Sequence, residues 1–136
     1  MDRSLYLARL LGPVFAIAGL GMFTNSASAA LLRQIMQSDA LLYVTAFIGL
    51  VAGVALVLAH NVWAADWRVI ITLIGWMTLL DSAQWILFPE FARGWEAALI
   101  DSPWTPLLGG ILTAAIGVIL SYFGYAAKPA AGRRRK

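Results

Sequence analysis

Four stretches of about twenty apolar residues, almost free of charge, constrain this chain more than any other feature. A helix needs about 20 such residues to cross a hydrocarbon core of about 30 Å. Segments 5–23, 40–59, 69–88 and 106–127 meet that length. The first holds one charge, Arg9, near its start, and the third holds one, Asp81; the second and fourth hold none. None of the four alternates apolar and polar residues, and a barrel would need many more segments, so strands are not expected. Composition agrees: of 136 residues 61% are hydrophobic and 12% charged, against about 25% charged in a soluble domain. The expected fold is an all-α membrane protein, a four-transmembrane-helix bundle in a single domain over 1–136 with a basic tail at 128–136.

The first segment has a rival reading. Arg3 and Arg9, an apolar run and then Ala27-Ser28-Ala29 resemble a signal peptide with its cleavage site. It is read here as a retained first crossing. With four crossings both termini share a side. That side and the second connection carry Arg3, Arg9, Arg68, Lys128, Arg133, Arg134, Arg135 and Lys136, while the other side carries Arg33 and Arg93. The positive-inside rule then places both termini in the cytoplasm. The basic tail is a topology signal and a contact for anionic lipid, and no nucleic-acid partner is expected.

The two outer connections carry helical periodicity. Ala27, Leu31, Leu32, Ile35 and Met36 fall on one side of a helical wheel, opposite Arg33, Gln34 and Gln37. Between Glu90 and Ile100, Phe91, Trp95 and Leu99 recur every four residues, opposite Arg93 and Glu96. Both stretches are expected to be short amphipathic helices lying in the membrane surface. Pro89 ends the third crossing, and Ser102-Pro103 and Thr105-Pro106 introduce the fourth. The inner connection, 60–66, is a tight hairpin with Asp66 as an N-cap.

Close approach of backbones, rather than apolar burial, joins helices in lipid, and it needs small residues on one face. The first crossing offers Ala8, Gly12, Ala16 and Gly19, the second Ala46, Gly49 and Gly53, and the fourth Gly110, Ala114, Gly117 and Ser121. The third has Trp76, Met77 and Trp85 instead. The expectation is that crossings one, two and four pack together, and that the third turns its bulk to a partner, a cofactor or lipid. Pro13 is a site for a kink in the first.

Asp81 is the most informative single residue. A carboxylate in the hydrocarbon region costs about 2.5–3.5 kcal/mol. Thr78, Gln84 and Trp85 lie within about 60° of it around the helix, so the four form an intramembrane polar site roughly 10 Å from Phe88. That pattern suits a proton or cation site, or a contact to another subunit; a carboxylic acid hydrogen-bonded to a neighbouring helix is the structural alternative. His60 is a candidate ligand for haem or chlorophyll, or a pH switch, set against a plain belt of interfacial tryptophans and turn residues. Trp76 and Trp85 are deep enough to stack on a carotenoid, quinone or lipid tail, or simply to pack. There are no cysteines and one histidine, which removes disulfides, thiolate metal sites and a bis-histidine haem within one chain. No phosphate loop, nucleophile–base pair or carboxylate-rich metal motif is present. The acids Glu90, Glu96 and Asp101 read as too scattered to form a site.

The stretch His60-Asn61-x-Trp63, Asp66-Trp67-x-Val69-Ile70-x-Thr72, Gly75-Trp76 and Phe88-Pro89 resembles a group of small, uncharacterised bacterial inner-membrane proteins with four predicted spans. The resemblance covers about a fifth of the chain and implies a bacterial inner membrane and no activity. The group's pattern often has a lysine and a glycine after the Gly-Trp pair, where this chain has Asp81 and Ser82. Three functions remain open on the sequence. One is a non-enzymatic accessory or structural subunit that assembles with itself or with other integral membrane subunits. The second is a proton or cation transport component using Asp81. The third is a pigment- or quinone-binding protein. No cofactor beyond lipid is called for by the first two.

Overall fold

The structure is a computed structural model that describes residues 2–24, 28–100, 102 and 104–126. Among them six helices follow one another: α1 (Arg3–Thr24), α2 (Ser28–Gln37), α3 (Asp39–Ala59), α4 (Arg68–Leu87), α5 (Pro89–Ile100) and α6 (Thr105–Ala126). Four of them, α1, α3, α4 and α6, are long and apolar enough to cross a membrane, and the chain is a multi-pass helical membrane protein. Each crossing lies within two residues of the segment expected from hydropathy. The two short helices cap one end of the bundle, and the start of α1, the end of α6 and the 60–67 connection occupy the other. Ala27, Asp101, Pro103 and the basic tail lie outside the described residues.

The crossings form two pairs, α1 with α6 and α3 with α4. This corrects the expected grouping of crossings one, two and four. In the first pair Gly12 faces Ser121, Gly19 faces Ala114 and Gly117 faces the backbone of Ala16. A Cβ on Gly12 would lie 2.5 Å from Oγ of Ser121, inside any real contact distance. In the second pair Gly49 faces Ser82, and a Cβ on Gly53 would lie 2.5 Å from the backbone nitrogen of Leu79. Gly75 of α4 meets Leu56 and Val57 of α3. So α4 is not the outward-facing helix its tryptophans suggested. Gly75 and Ser82, seven residues apart, are its small face.

Pro13 does not break α1. Proline supplies no N–H, so the carbonyl of Arg9 one turn earlier loses its donor. The Tyr125 hydroxyl of α6 donates to that oxygen at 3.1 Å. Arg9 answers by donating from Nε to the carbonyl of Gly124 at 2.7 Å, one of the last four carbonyls of α6, which have no intrahelical partner. Two exposed ends of backbone bonding are thus closed across one helix pair, as a low-dielectric surrounding requires.

The pairs are joined at the terminus-bearing end. Leu7 and Ala8 of α1, Ile71 and Ile74 of α4 and Leu120 of α6 form one buried cluster. At the opposite end a second cluster gathers Leu42 and Ala46 of α3, Trp85 of α4 and Ala92 of α5. The α5 helix is amphipathic, as its periodicity leads one to expect. Its inward face is Ala92 and Glu96, while Phe91, Trp95 and Leu99 are exposed. That exposed apolar stripe suits contact with lipid.

Gly117→Leu is expected to destabilise the protein by about 1–3 kcal/mol or more, the usual range for overpacking. Gly21→Leu, where an added Cβ meets nothing within 4 Å, is expected to leave stability nearly unchanged. Thermal unfolding of both variants in the same detergent measures the difference, and equal midpoints would refute the pairing.

Candidate functional site

A groove of about 340 Å³ opens between α2, α3, α4 and α5 at the capped end. Its apolar wall is Leu32, Ile35 and Met36 from α2 with Leu42, Ala46 and Gly49 from α3. Its polar wall is Thr45, Thr78, Asp81, Ser82, Trp85 and Glu96. The helix turn explains the selection. Thr78 and Trp85 lie on one side of Asp81 around α4, and Gln84 lies on the other. The groove opens on the first side. Gln84 therefore does not join the polar site expected of it; its Nε2 is buried without a hydrogen-bond partner among the described residues.

Glu96 is the residue that sequence reasoning set aside. α5 folds back over α4, and the indole Nε1–H of Trp85 donates to Glu96 Oε1 at 2.7 Å. The Asp81 carboxyl is a second hydrogen-bonding neighbour of Glu96. Two acids fifteen positions apart thus share one wall. Burial pushes the Glu96 carboxyl up to about 7; the Trp85 hydrogen bond opposes the rise, and the charge and hydrogen bond of Asp81 add to it. A pair of carboxyls that holds a proton to neutral pH is the expected outcome when like charges meet in a partly dry site.

One ion pair ties α5 to α3 in this position. Arg93 bridges to Asp39 in the first turn of α3 and approaches Glu90 at 3.7 Å. The Asp39 carboxylate also sits where the helix dipole of α3 is positive, which favours it. The only signal in the sequence for Glu96 is its place one turn after Ala92.

His60 lies at the other end of the bundle. It is 3% exposed. Its Nε2 lies 3.0 Å from Ser4 Oγ of α1, and its Nδ1 lies 3.2 Å from Thr72 Oγ1 of α4. Thr72 Oγ1 donates to the carbonyl of Val62 at 3.0 Å and accepts from the Val62 N–H at 3.0 Å. With that proton on the Val62 carbonyl, the Nδ1–H of His60 donates to Thr72, and in the neutral ring Nε2 accepts from Ser4. Burial favours the neutral ring and holds its pKa below the ordinary 6.5. Both ring nitrogens are committed, which corrects the ligand reading of His60: an axial bond would have to break one of these two. His60 joins the helix pairs instead.

The deep tryptophans are held as well. Trp76 Nε1 donates to Asn61 Oδ1 at 3.3 Å, and Trp63 Nε1 donates to the same oxygen at 2.8 Å. Trp85 is packed and hydrogen-bonded as described. Asp66 accepts from the backbone N–H of Arg68 at 2.8 Å and pairs with its guanidinium; these bonds hold its carboxyl below the usual range. The small residues named above lie in the helix pairs; Gly110 is buried in α6 and Ala46 packs beside Trp85. No group of three or more potential metal ligands occurs among the described residues. Comparison with known proteins finds no matching family model, no similar curated protein and no similar solved structure.

The two ends respond to pH with opposite sign. An unfolded glutamate releases its proton near 4.5, whereas Glu96 keeps it to about 7, so stability falls as pH rises through that window. An unfolded histidine gains a proton below 6.5, whereas His60 resists it, so stability falls as pH drops below that value. Between about 4.5 and 6.5 the slopes oppose each other. Glu96→Gln keeps an acceptor for Trp85 and removes one slope. The variant is expected to lose stability steadily on acidification below about 6.5, while the native protein changes less. Thermal midpoints from pH 4.5 to 8 test this, and parallel curves for the two proteins would refute it.

Proposed function

We propose that this is a small, non-enzymatic protein of the bacterial inner membrane, with both termini cytoplasmic, that takes up and releases a proton at the Asp81–Glu96 pair. It would act as a proton- or cation-handling component. The observation that carries this reading is the pair itself, a half-buried Glu96 beside Asp81 at the wall of a groove. An acid kept only for helix packing needs no cavity beside it and no second acid facing it. Intramembrane acids are by default candidates for ion or proton pathways. The chain is short for enclosing a path alone, so self-assembly or a place within a larger membrane complex belongs to the same reading. A pigment or quinone role draws no support from His60 or the deep tryptophans, whose polar atoms are engaged within the chain.

The test is infrared titration of the carboxyl bands in reconstituted protein. One carboxyl is expected to titrate near 7 and to vanish in Glu96→Gln. Its midpoint should fall in Asp81→Asn, which removes a neighbouring charge, and rise in Trp85→Phe, which removes the donor that favours the ionised form. Absence of any carboxyl titrating above about 6 in the native protein would sink the proposal.

A further inference from the structure

The groove has a shape and a charge that together specify an occupant. At about 340 Å³ it lies at the small end of the range for ligand pockets, about 300–1,000 Å³. One side is aliphatic, and the other ends in two carboxyls. No basic side chain is found among the described residues that line it. The charged groups on the surrounding helices do not fill that role: Arg93 of α5 is taken up by Asp39 of α3 and by Glu90, and Arg33 of α2 is exposed and makes interactions of its own. A calcium or magnesium ion would want six or more oxygen ligands. Two carboxyls with three hydroxyls against a wall of Leu32, Ile35, Met36 and Leu42 are a poor match for that. They match a molecule that is cationic at one end and apolar at the other.

We propose that this groove binds a small amphipathic organic cation, with its ammonium beside Asp81 and Glu96 and its apolar body against Leu32, Ile35, Met36 and Leu42. This rests on the reading of the two acids as an exchangeable proton site. When the cation enters, the Glu96 O–H bond breaks, the proton leaves to water, and the carboxylate so formed faces the ammonium. One positive charge replaces another, so the groove never holds two uncompensated carboxylates. A neutral lipid tail would fill the same apolar wall and leave the acids unsatisfied. An anionic ligand would be repelled by them.

The probe is benzyltrimethylammonium, with the uncharged isostere neopentylbenzene as its control, titrated calorimetrically into the detergent-solubilised protein. Because a proton held to about pH 7 competes for the site, affinity is expected to fall roughly tenfold from pH 8 to pH 6. Titration at pH 6 in buffers of different ionisation enthalpy should show close to one proton released per cation bound. Asp81→Asn and Glu96→Gln, each checked for native thermal unfolding, should each weaken binding at pH 8 at least tenfold, and Thr45→Phe, which fills the groove from an exposed wall, should weaken it too. If the isostere binds as well as the cation, or if both acid variants bind as the native protein does, the occupant is apolar, such as a lipid tail, and the proposal falls. If the carboxyl titrates near 7 and no cation binds, this inference is overturned while the proton-site reading stands. If no carboxyl titrates there and the cation still binds without proton release, the proton-site reading is what fails, and the exchange fails with it.

Discussion

Close contact between helix backbones governs the arrangement of this molecule. Lipid gives no reward for hiding one leucine behind another, so a helix pair must gain from dispersion and from backbone polar groups at short range. Gly12, Gly19 and Gly117 supply that range for α1 and α6, and Gly49, Gly53 and Gly75 supply it for α3 and α4. Once two pairs exist, their junction is a separate matter. It is made at one end only, by Ile71 and Ile74 with Leu120 and by the Ser4–His60–Thr72 chain. The far end is closed by the two short helices, and the space beneath them is the groove.

The same requirement, that polar atoms in a low dielectric find partners inside the protein, has opposite results at the two ends. Around Pro13 it is met by permanent bonds, Tyr125 to Arg9 and Arg9 to Gly124. Neither can be traded without exposing a backbone carbonyl. Around Asp81 the partner is another acid. Two carboxyls can satisfy each other only while a proton lies between them, so the arrangement depends on a particle that water can remove. The first solution makes a joint, and the second makes a site.

The crossings were legible in the sequence because twenty apolar residues without charge have few other uses; every boundary fell within two residues. The short helices were legible from their periodicity, and so was the outward turn of Phe91, Trp95 and Leu99. What periodicity left out is that the other face of α5 is pressed against protein, where Ala92 is buried. Pairing was illegible for a related reason. Three crossings display small residues, which fits several partnerships, and the small face of α4 was masked by its large neighbours Trp76 and Trp85. Asp81 was found because charge is rare there. Its partner Glu96 was missed because it lies on a different helix, and no local pattern reports that α5 folds back over α4. His60 was singled out correctly as unusual, and the hydroxyls that commit it, Ser4 and Thr72, are too common to be noticed in advance.

The pairing of α1 with α6 has a consequence in time. A membrane chain is made from its first helix onward. The α3–α4 pair is closed by the short connection 60–67 and can form as soon as α4 enters the bilayer. α1 must stand in lipid until α6 arrives, with the Arg9 carbonyl, stripped of its donor by Pro13, still lacking the Tyr125 hydroxyl that later meets it. Between the entry of α4 and that of α6 the protein is a finished hairpin beside an unfinished strut. The 22 residues of α6 close the pair that α1 leaves open.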